Sequence, residues 1–264
     1  VLPMYGWKLS MLITGLVSLA ACLLSYHYIP LSPRFLVLTG RIRDAENLTN
    51  RYGLKLPEIK RKEKSLIDQS VLLFSRDYRK STLSLWILWF VIAMGYYGIF
   101  IWLPKSILSA EISLIKSFEY LFIITFAQIP GYYSSVLLID RVGRKRLLAI
   151  YLLGTAFSSF MYALSNSGQS ILIWGSLLSF FDLGLWAALY SYTPEQYSTN
   201  IRGIGSSWAS AVGRIGSILG PYLVPYFTSM GGWFVAFSFF ALLHVFGIVG
   251  VIFGREMKGK EMVE

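Results

Sequence analysis

The chain has 264 residues, 55% hydrophobic, 16% aromatic and only 14% charged, with a formal net charge of +10 and a mean hydropathy of +0.56. A soluble domain is about one quarter charged, so an ordinary water-soluble domain is excluded; the long uncharged stretches lack the period-two alternation of barrel strands. One cysteine, Cys22, excludes an intramolecular disulfide, and two histidines far apart suggest no metal cluster; no cofactor is implied.

A bilayer core of about 30 Å needs roughly 20 apolar helical residues. The first such segment, Leu9–Ile29, is too long for a signal peptide and is followed by further spans. Pro30–Ser81 is the only long polar segment; Thr39–Tyr52 and Pro57–Phe74 read as short amphipathic helices separated by the breakers Gly53 and Pro57. Leu83–Leu103 carries Tyr96, Tyr97 and Trp102, the last near a span end and read as an interfacial anchor. Phe118–Ile139 holds a polar stripe, Gln128, Tyr132 and Ser135, beside Pro130. An amide in lipid needs a partner, so Gln128 and Tyr132 are the better substrate-contact candidates, with Tyr96 and Tyr97 adding aromatic surface. Leu147–Leu164 follows. Ser170–Tyr192 contains Asp182, Trp186 and Tyr190 at steps of four. Gly203–Phe227 spaces Ala209, Gly213, Gly216 and Gly220 by three or four, which lets helix backbones approach closely, and adds Pro221 as a kink. Arg214 shares a stripe there with Ser207, Ser210 and Ser217. Trp233–Phe253 contains His244, read as hydrogen-bonded to a neighbour. The predicted fold is an all-α polytopic membrane protein of seven transmembrane helices, with a first helix over 1–29, a linker over 30–82, a six-helix bundle over 83–254 and a tail over 255–264.

The loops on one side carry twenty Lys and Arg and those on the other only Lys8, Lys105 and Lys116. By the positive-inside rule the basic loops and the carboxyl terminus are cytoplasmic. The basic face then meets anionic lipid, not nucleic acid. The predicted location is the cell membrane, multi-pass.

At one cytoplasmic turn, "LIDRVGRKRLL" (Leu138–Leu148), a carboxylate closes one span, a glycine makes the turn and a basic cluster opens the next. Asp140-Arg141-x-Gly143-Arg144-Lys145 resembles the signature between helices eight and nine of the major facilitator superfamily. "SPRFL" (Ser32–Leu36) resembles the end of the pattern after helix six, and "TPEQYSTNIRG" (Thr193–Gly203) the pattern after helix ten. "GYYGIFIWLP" (Gly95–Pro104) and "AQIPGYY" (Ala127–Tyr133) resemble helices seven and eight of the metabolite:proton symporters, a sugar-porter-like group that includes nicotinate and aromatic-acid transporters. Leu31 and Ser198 depart from these patterns, in which a glutamate and a proline stand. The resemblance implies helices six to twelve of a twelve-helix transporter, with Val1–Pro3 as the end of helix five and the amino-terminal half, helices one to five, outside this sequence. It implies a solute site between the two halves and alternating access. It also implies a cytoplasmic gate in which Glu195 pairs with Arg144 or a neighbour, alongside Asp140, Arg141, Gly143, Lys145 and Arg202.

Asp182 and Arg214 both fall near mid-span on consecutive antiparallel spans, where a lipid-facing charge costs roughly 2.5–3.5 kcal/mol. They are expected to face each other or a wet cavity. Two readings stand: a structural ion pair, or a functional couple in which Arg214 attracts an anionic solute and Asp182 exchanges a proton. Trp186 joins the substrate-contact candidates. The expected activity is secondary transport, by proton symport, of a small organic solute such as an aromatic or other carboxylate. The alternatives are a sugar or organic-cation transporter of the same superfamily, or a seven-helix receptor. The fifty-residue linker and the lack of lysine in the last span weigh against the receptor. No catalytic His/Asp/Ser cluster points to an enzyme.

Overall fold

The computed structural model describes residues 2–56, 65–110, 112–198 and 201–259. Among them every regular element is helical: α1 (Leu2–Tyr28), α2 (Pro33–Leu38), α3 (Ile42–Tyr52), α4 (Leu66–Leu72), α5 (Arg79–Leu108), α6 (Leu114–Phe126), α7 (Gln128–Val142), α8 (Arg144–Ala163), α9 (Gly168–Glu195) and α10 (Arg202–Phe253). They fall into two compact units that divide within the polar segment, one up to residue 63 and one from residue 64.

In the first unit, α1 holds an apolar stretch, Lys8–Tyr28, long enough to cross a bilayer. Leu2 and Pro3 form its first turn and not the end of a preceding helix; Val1 lies outside the described residues. The helix predicted over Thr39–Tyr52 starts later, as α3 at Ile42, and a separate short helix, α2, precedes it. Ser32 caps α2 by accepting from the Phe35 N–H, with Pro33 in the first turn, and Gly40, at φ +77°, breaks the chain before α3. Of the helix predicted over Pro57–Phe74, residues 57–64 lie outside the described residues, and α4 forms over Leu66–Leu72.

The second unit is a bundle centred on α5. Six helical stretches among the described residues are long and apolar enough to cross a bilayer, α1 included. The sequence predicts seven, and the difference lies in α10. The last two predicted segments run on as one helix of 52 residues, broken where Gly231 and Gly232 leave helical geometry. Gly232, at φ +68° and ψ −161°, takes a backbone conformation that L side chains rarely adopt. The two arms run opposite ways along α5. Gly213, Gly216 and Gly220 climb from Trp89 to Gly98, whereas Phe240, His244, Gly247 and Gly250 descend from Gly98 to Leu88. The predicted small-residue stripe is a packing face: Ala209, Gly213, Gly216 and Gly220 are all buried. A Cβ on Gly220 would stand 2.2 Å from the Met94 carbonyl oxygen.

A proline within a helix takes one hydrogen bond out of it. Pro130 lacks an N–H for the Phe126 carbonyl, and the span Leu114–Val142 bends there into α6 and α7. Pro225 likewise frees the Pro221 carbonyl, which instead accepts from Trp102 Nε1 at 2.9 Å. Trp102 thus clamps α5 to α10 instead of serving as a free interfacial anchor. Other polar groups tie helices together: Ser84 Oγ donates to the Gly250 carbonyl at 2.7 Å, Trp89 Nε1 to Thr193 Oγ1 at 2.9 Å and Ser159 Oγ to the Phe237 carbonyl at 2.9 Å.

Candidate functional site

One end of the bundle is closed by charge. α7 ends at Gly143, whose φ of +98° turns the chain straight into α8. Arg144, the first residue of α8, reaches Glu195 at the end of α9 through Nε (3.0 and 3.2 Å) and Nη2 (3.0 Å), and Asp140 through Nη1 (2.8 Å). The arginine and Glu195 are 16% and 18% exposed and Asp140 is 77% exposed, so the inner pair carries most of the interaction. Of the predicted gate residues the structure therefore brings together Asp140, Arg144 and Glu195. Lys145 lies alongside, its Nζ on the Ile252 carbonyl at 3.3 Å. Arg141 takes part through its carbonyl, which accepts from Lys258 Nζ at 2.5 Å. Arg202 is not in this cluster: its Nη2 reaches the Tyr197 carbonyl at 3.4 Å.

Two residues absent from the sequence reading complete this end. Glu256 accepts the backbone N–H groups of Arg144 and Lys145, both at 3.1 Å, so its carboxylate caps the positive end of α8. Gln196, fully buried, exchanges two hydrogen bonds with the Arg255 backbone at 2.9 and 3.0 Å. The signal for Glu256 was a lone acid just after the last span, facing a helix start with open N–H groups. Tyr197 seals the layer beneath. Its hydroxyl donates to Thr82 Oγ1 at 3.1 Å, and burial pushes the hydroxyl above the usual tyrosine range, so it stays neutral.

Deeper in the bundle, Trp89, Ala93, Tyr97, Trp186, Tyr190 and Arg214 wall a cleft of about 40 Å³, with Ser210 and Ser217 on its rim. Trp186 stacks on Tyr190 (centroids 5.6 Å apart), and Trp89 and Tyr96 meet Trp186 edge-on at 5.7 and 6.0 Å. The structure so gathers Tyr96, Tyr97, Trp186 and Arg214 and leaves aside Gln128, half-buried at the start of α7, and Tyr132, exposed on the same helix. The predicted stripe on α7 splits, because Ser135 turns into the core. Arg214 is exposed, and its guanidinium makes no ion pair or hydrogen bond among the described residues.

Asp182 does not meet Arg214. It is 0% exposed and turned the other way, with Oδ1 3.5 Å from Nε2 of His244, itself 0% exposed. Four-residue steps drift about 40° around a helix, which carries the α9 surface from buried Asp182 through half-buried Trp186 to exposed Tyr190. The expected facing charges therefore lie on different sides of α9. His244 seats its ring over Gly95, where a Cβ would stand 2.2 Å from the imidazole.

The profile of the sugar (and other) transporter family matches residues 4–264. The chain belongs to this family of the major facilitator superfamily. Family relatives include the niacin transporter NiaP of Acinetobacter baylyi, 37% identical over 99% of this chain and 62% of the relative. The putative niacin/nicotinamide transporter NiaP of Bacillus subtilis is 38% identical over 99% of this chain and 60% of the relative. A synaptic vesicle 2-related protein of Xenopus laevis is 27% identical over 84% and 45%. The chain thus spans about three fifths of the length of the two niacin-transporter relatives. Family membership and its apolar helices make it a multi-pass membrane protein.

Proposed function

We propose that this chain is the carboxyl-terminal portion of a secondary transporter that moves a small aromatic carboxylate with protons by alternating access. The observation that carries this reading is the aromatic cleft with an unpaired arginine on its wall. Stacked and edge-on rings offer flat apolar faces to a planar solute. A guanidinium without a protein partner offers two parallel N–H bonds to a carboxylate. Niacin, the solute named in two relatives, is a pyridine ring bearing one carboxylate. At about 40 Å³ the cleft is too small for such a solute by itself, which fits a site completed by a second half, helices one to five.

In this reading the two arms of α10 are separate spans, giving seven. Residues 1–29 are helix six, 30–82 the cytoplasmic linker, 83–254 the carboxyl-terminal bundle and 255–264 the tail. The Asp140–Arg144–Glu195 cluster, with Arg141, Gly143, Lys145 and Arg202 around it, belongs to the cytoplasmic gate. Tyr132, exposed on α7, faces the other half.

The test is uptake of labelled nicotinate by the full-length protein in liposomes under an imposed pH gradient. Arg214→Gln is expected to raise KM for nicotinate about tenfold or more, the loss of one charge-assisted interaction of about 1.5–3 kcal/mol. Competition by neutral nicotinamide should change little. An unaltered nicotinate KM in this variant would remove the cleft from the solute path.

A further inference from the structure

Among the described residues, Asp182 is the one carboxylate and His244 the one imidazole wholly withdrawn from solvent, and they face each other. Neither carboxylate oxygen nor His244 Nε2 has a hydrogen-bond partner. His244 Nδ1 lies 2.7 Å from the Phe240 carbonyl. A carbonyl only accepts, so Nδ1 carries a proton. Nε2 then presents to Asp182 either a bare lone pair or a second N–H. With a lone pair, Asp182 must be protonated, since two lone pairs face to face repel; with an N–H, imidazolium faces carboxylate. Both arrangements place one proton between Nε2 and Oδ1 and leave the couple neutral. Adding or removing a proton leaves a net charge in a dry interior, which is costly. The proton count of this couple therefore changes only when the site is wetted.

The surroundings supply few competing groups. Tyr96 of α5 follows Gly95, on which the His244 ring packs. Tyr151 of α8 packs on Gly184, with its hydroxyl held 2.7 Å from Ser134. α7 presents Gly131 to the same stretch of α9, and the cation Arg214 stands on the other arm of α10, at the cleft. Tyr96 also meets the edge of Trp186 at 6.0 Å, so it stands between the His244 ring on Gly95 and the cleft.

We propose that Asp182 and His244 together form a single-proton binding site, and that Tyr96 connects it to the aromatic cleft. The site joins α9 to the second arm of α10, so a shift between these helices on solute binding opens or closes it. His244 is then the positioning partner that holds the shared proton on or off Asp182. This deepens the transport reading and rests on it for its role; the proton site itself does not need a solute.

The experiment has two arms, both on the full-length protein in lipid. Infrared titration follows the protonated-carboxyl band. The carboxyl band, or an imidazolium band in its place where the proton rests on His244, is expected in the parent protein and lost in Asp182→Asn, and the carboxyl titration is displaced in His244→Gln by about one pH unit or more, a tenfold change in proton affinity. The second arm compares uphill nicotinate uptake with counterflow exchange. Asp182→Asn and His244→Gln are expected to depress uphill uptake at least tenfold more than exchange, and Tyr96→Phe to do so more weakly. If His244→Gln titrates and accumulates solute like the parent, the proposal is overturned. Equal loss of exchange and uphill uptake in both variants overturns it too, since that is the mark of a purely structural pair. If the titration behaves as expected but the parent moves no nicotinate, the solute reading fails and the proton site stands.

Discussion

Arg144 shows how much one side chain can hold. Its planar fork meets Glu195 through Nε and Nη2 while Nη1 takes Asp140, so three elements end on one guanidinium. A lysine keeps the charge and loses the fork. Arg144→Lys is expected to destabilise the protein by about 1–2 kcal/mol, read as a lowered melting temperature in detergent. Glu195→Gln should cost less in that background than in the parent. Equal costs in both backgrounds would show that the pair contributes nothing. The Asp140–Arg144 part of this cluster was legible because a carboxylate, a turn glycine and a basic run stand side by side at a span boundary, whereas Glu195 came in only through the family resemblance. The Asp182–His244 couple was not legible. Mid-span position is readable from a sequence, but which face a residue occupies depends on helix phase. Asp182, Trp186 and Tyr190 look like one stripe at steps of four and turn progressively from the core to the cleft. The partner of Asp182 is 62 positions away on the last span, beyond any local pattern.

At the scale of helices, proline and tryptophan form a compensating pair. Pro225 denies the Pro221 carbonyl its helical partner, and the indole N–H of Trp102 replaces it at 2.9 Å. Trp102→Phe keeps an aromatic ring and leaves a carbonyl unpaired in the membrane, at an expected cost of about 1–2 kcal/mol. Pro225→Ala restores an N–H at position 225, so Trp102→Phe should cost much less in that background. A double-mutant cycle on thermal unfolding measures the difference, and additive costs would show that the two sites are independent. The glycine stripe of α10 was readable as a packing face because small residues at spacings of three and four have one physical use in close helix contact. Trp102 was misread as an anchor, since its acceptor exists only because of a proline on another helix. The break in α10 was legible as an interval between two apolar runs. That Gly231 and Gly232 reverse the chain without an intervening loop depends on backbone geometry that composition does not reveal.

For the whole molecule the decisive asymmetry is charge, and it makes a statement about orientation that the helices alone do not. The loops grouped on one side by the predicted spans hold twenty Lys and Arg, against three on the other, and within the second unit Glu256 and the Asp140–Arg144–Glu195 cluster stand at the same end of the bundle. By the positive-inside rule the expected orientation puts this cluster and the carboxyl terminus on the cytoplasmic side and the turn between α8 and α9 outside. α8 is a convenient ruler, because Arg146 in its first turn and Asn166 just past its end are both exposed and are separated by one span. With a cysteine-free full-length protein, Cys22→Ser included, as background, Asn166→Cys is expected to react with a membrane-impermeant maleimide on intact cells. Arg146→Cys should react only after permeabilisation. Motif order and spacing made the family legible without coordinates, because they rest on properties spread over many residues, which no single substitution hides; the orientation read from the charge bias is what this labelling tests. The labelling result also bears on mechanism. Labelling of Arg146→Cys from outside would place the Arg144 cluster at the extracellular mouth, and the proton site would then load from the opposite side to the one the charge bias implies.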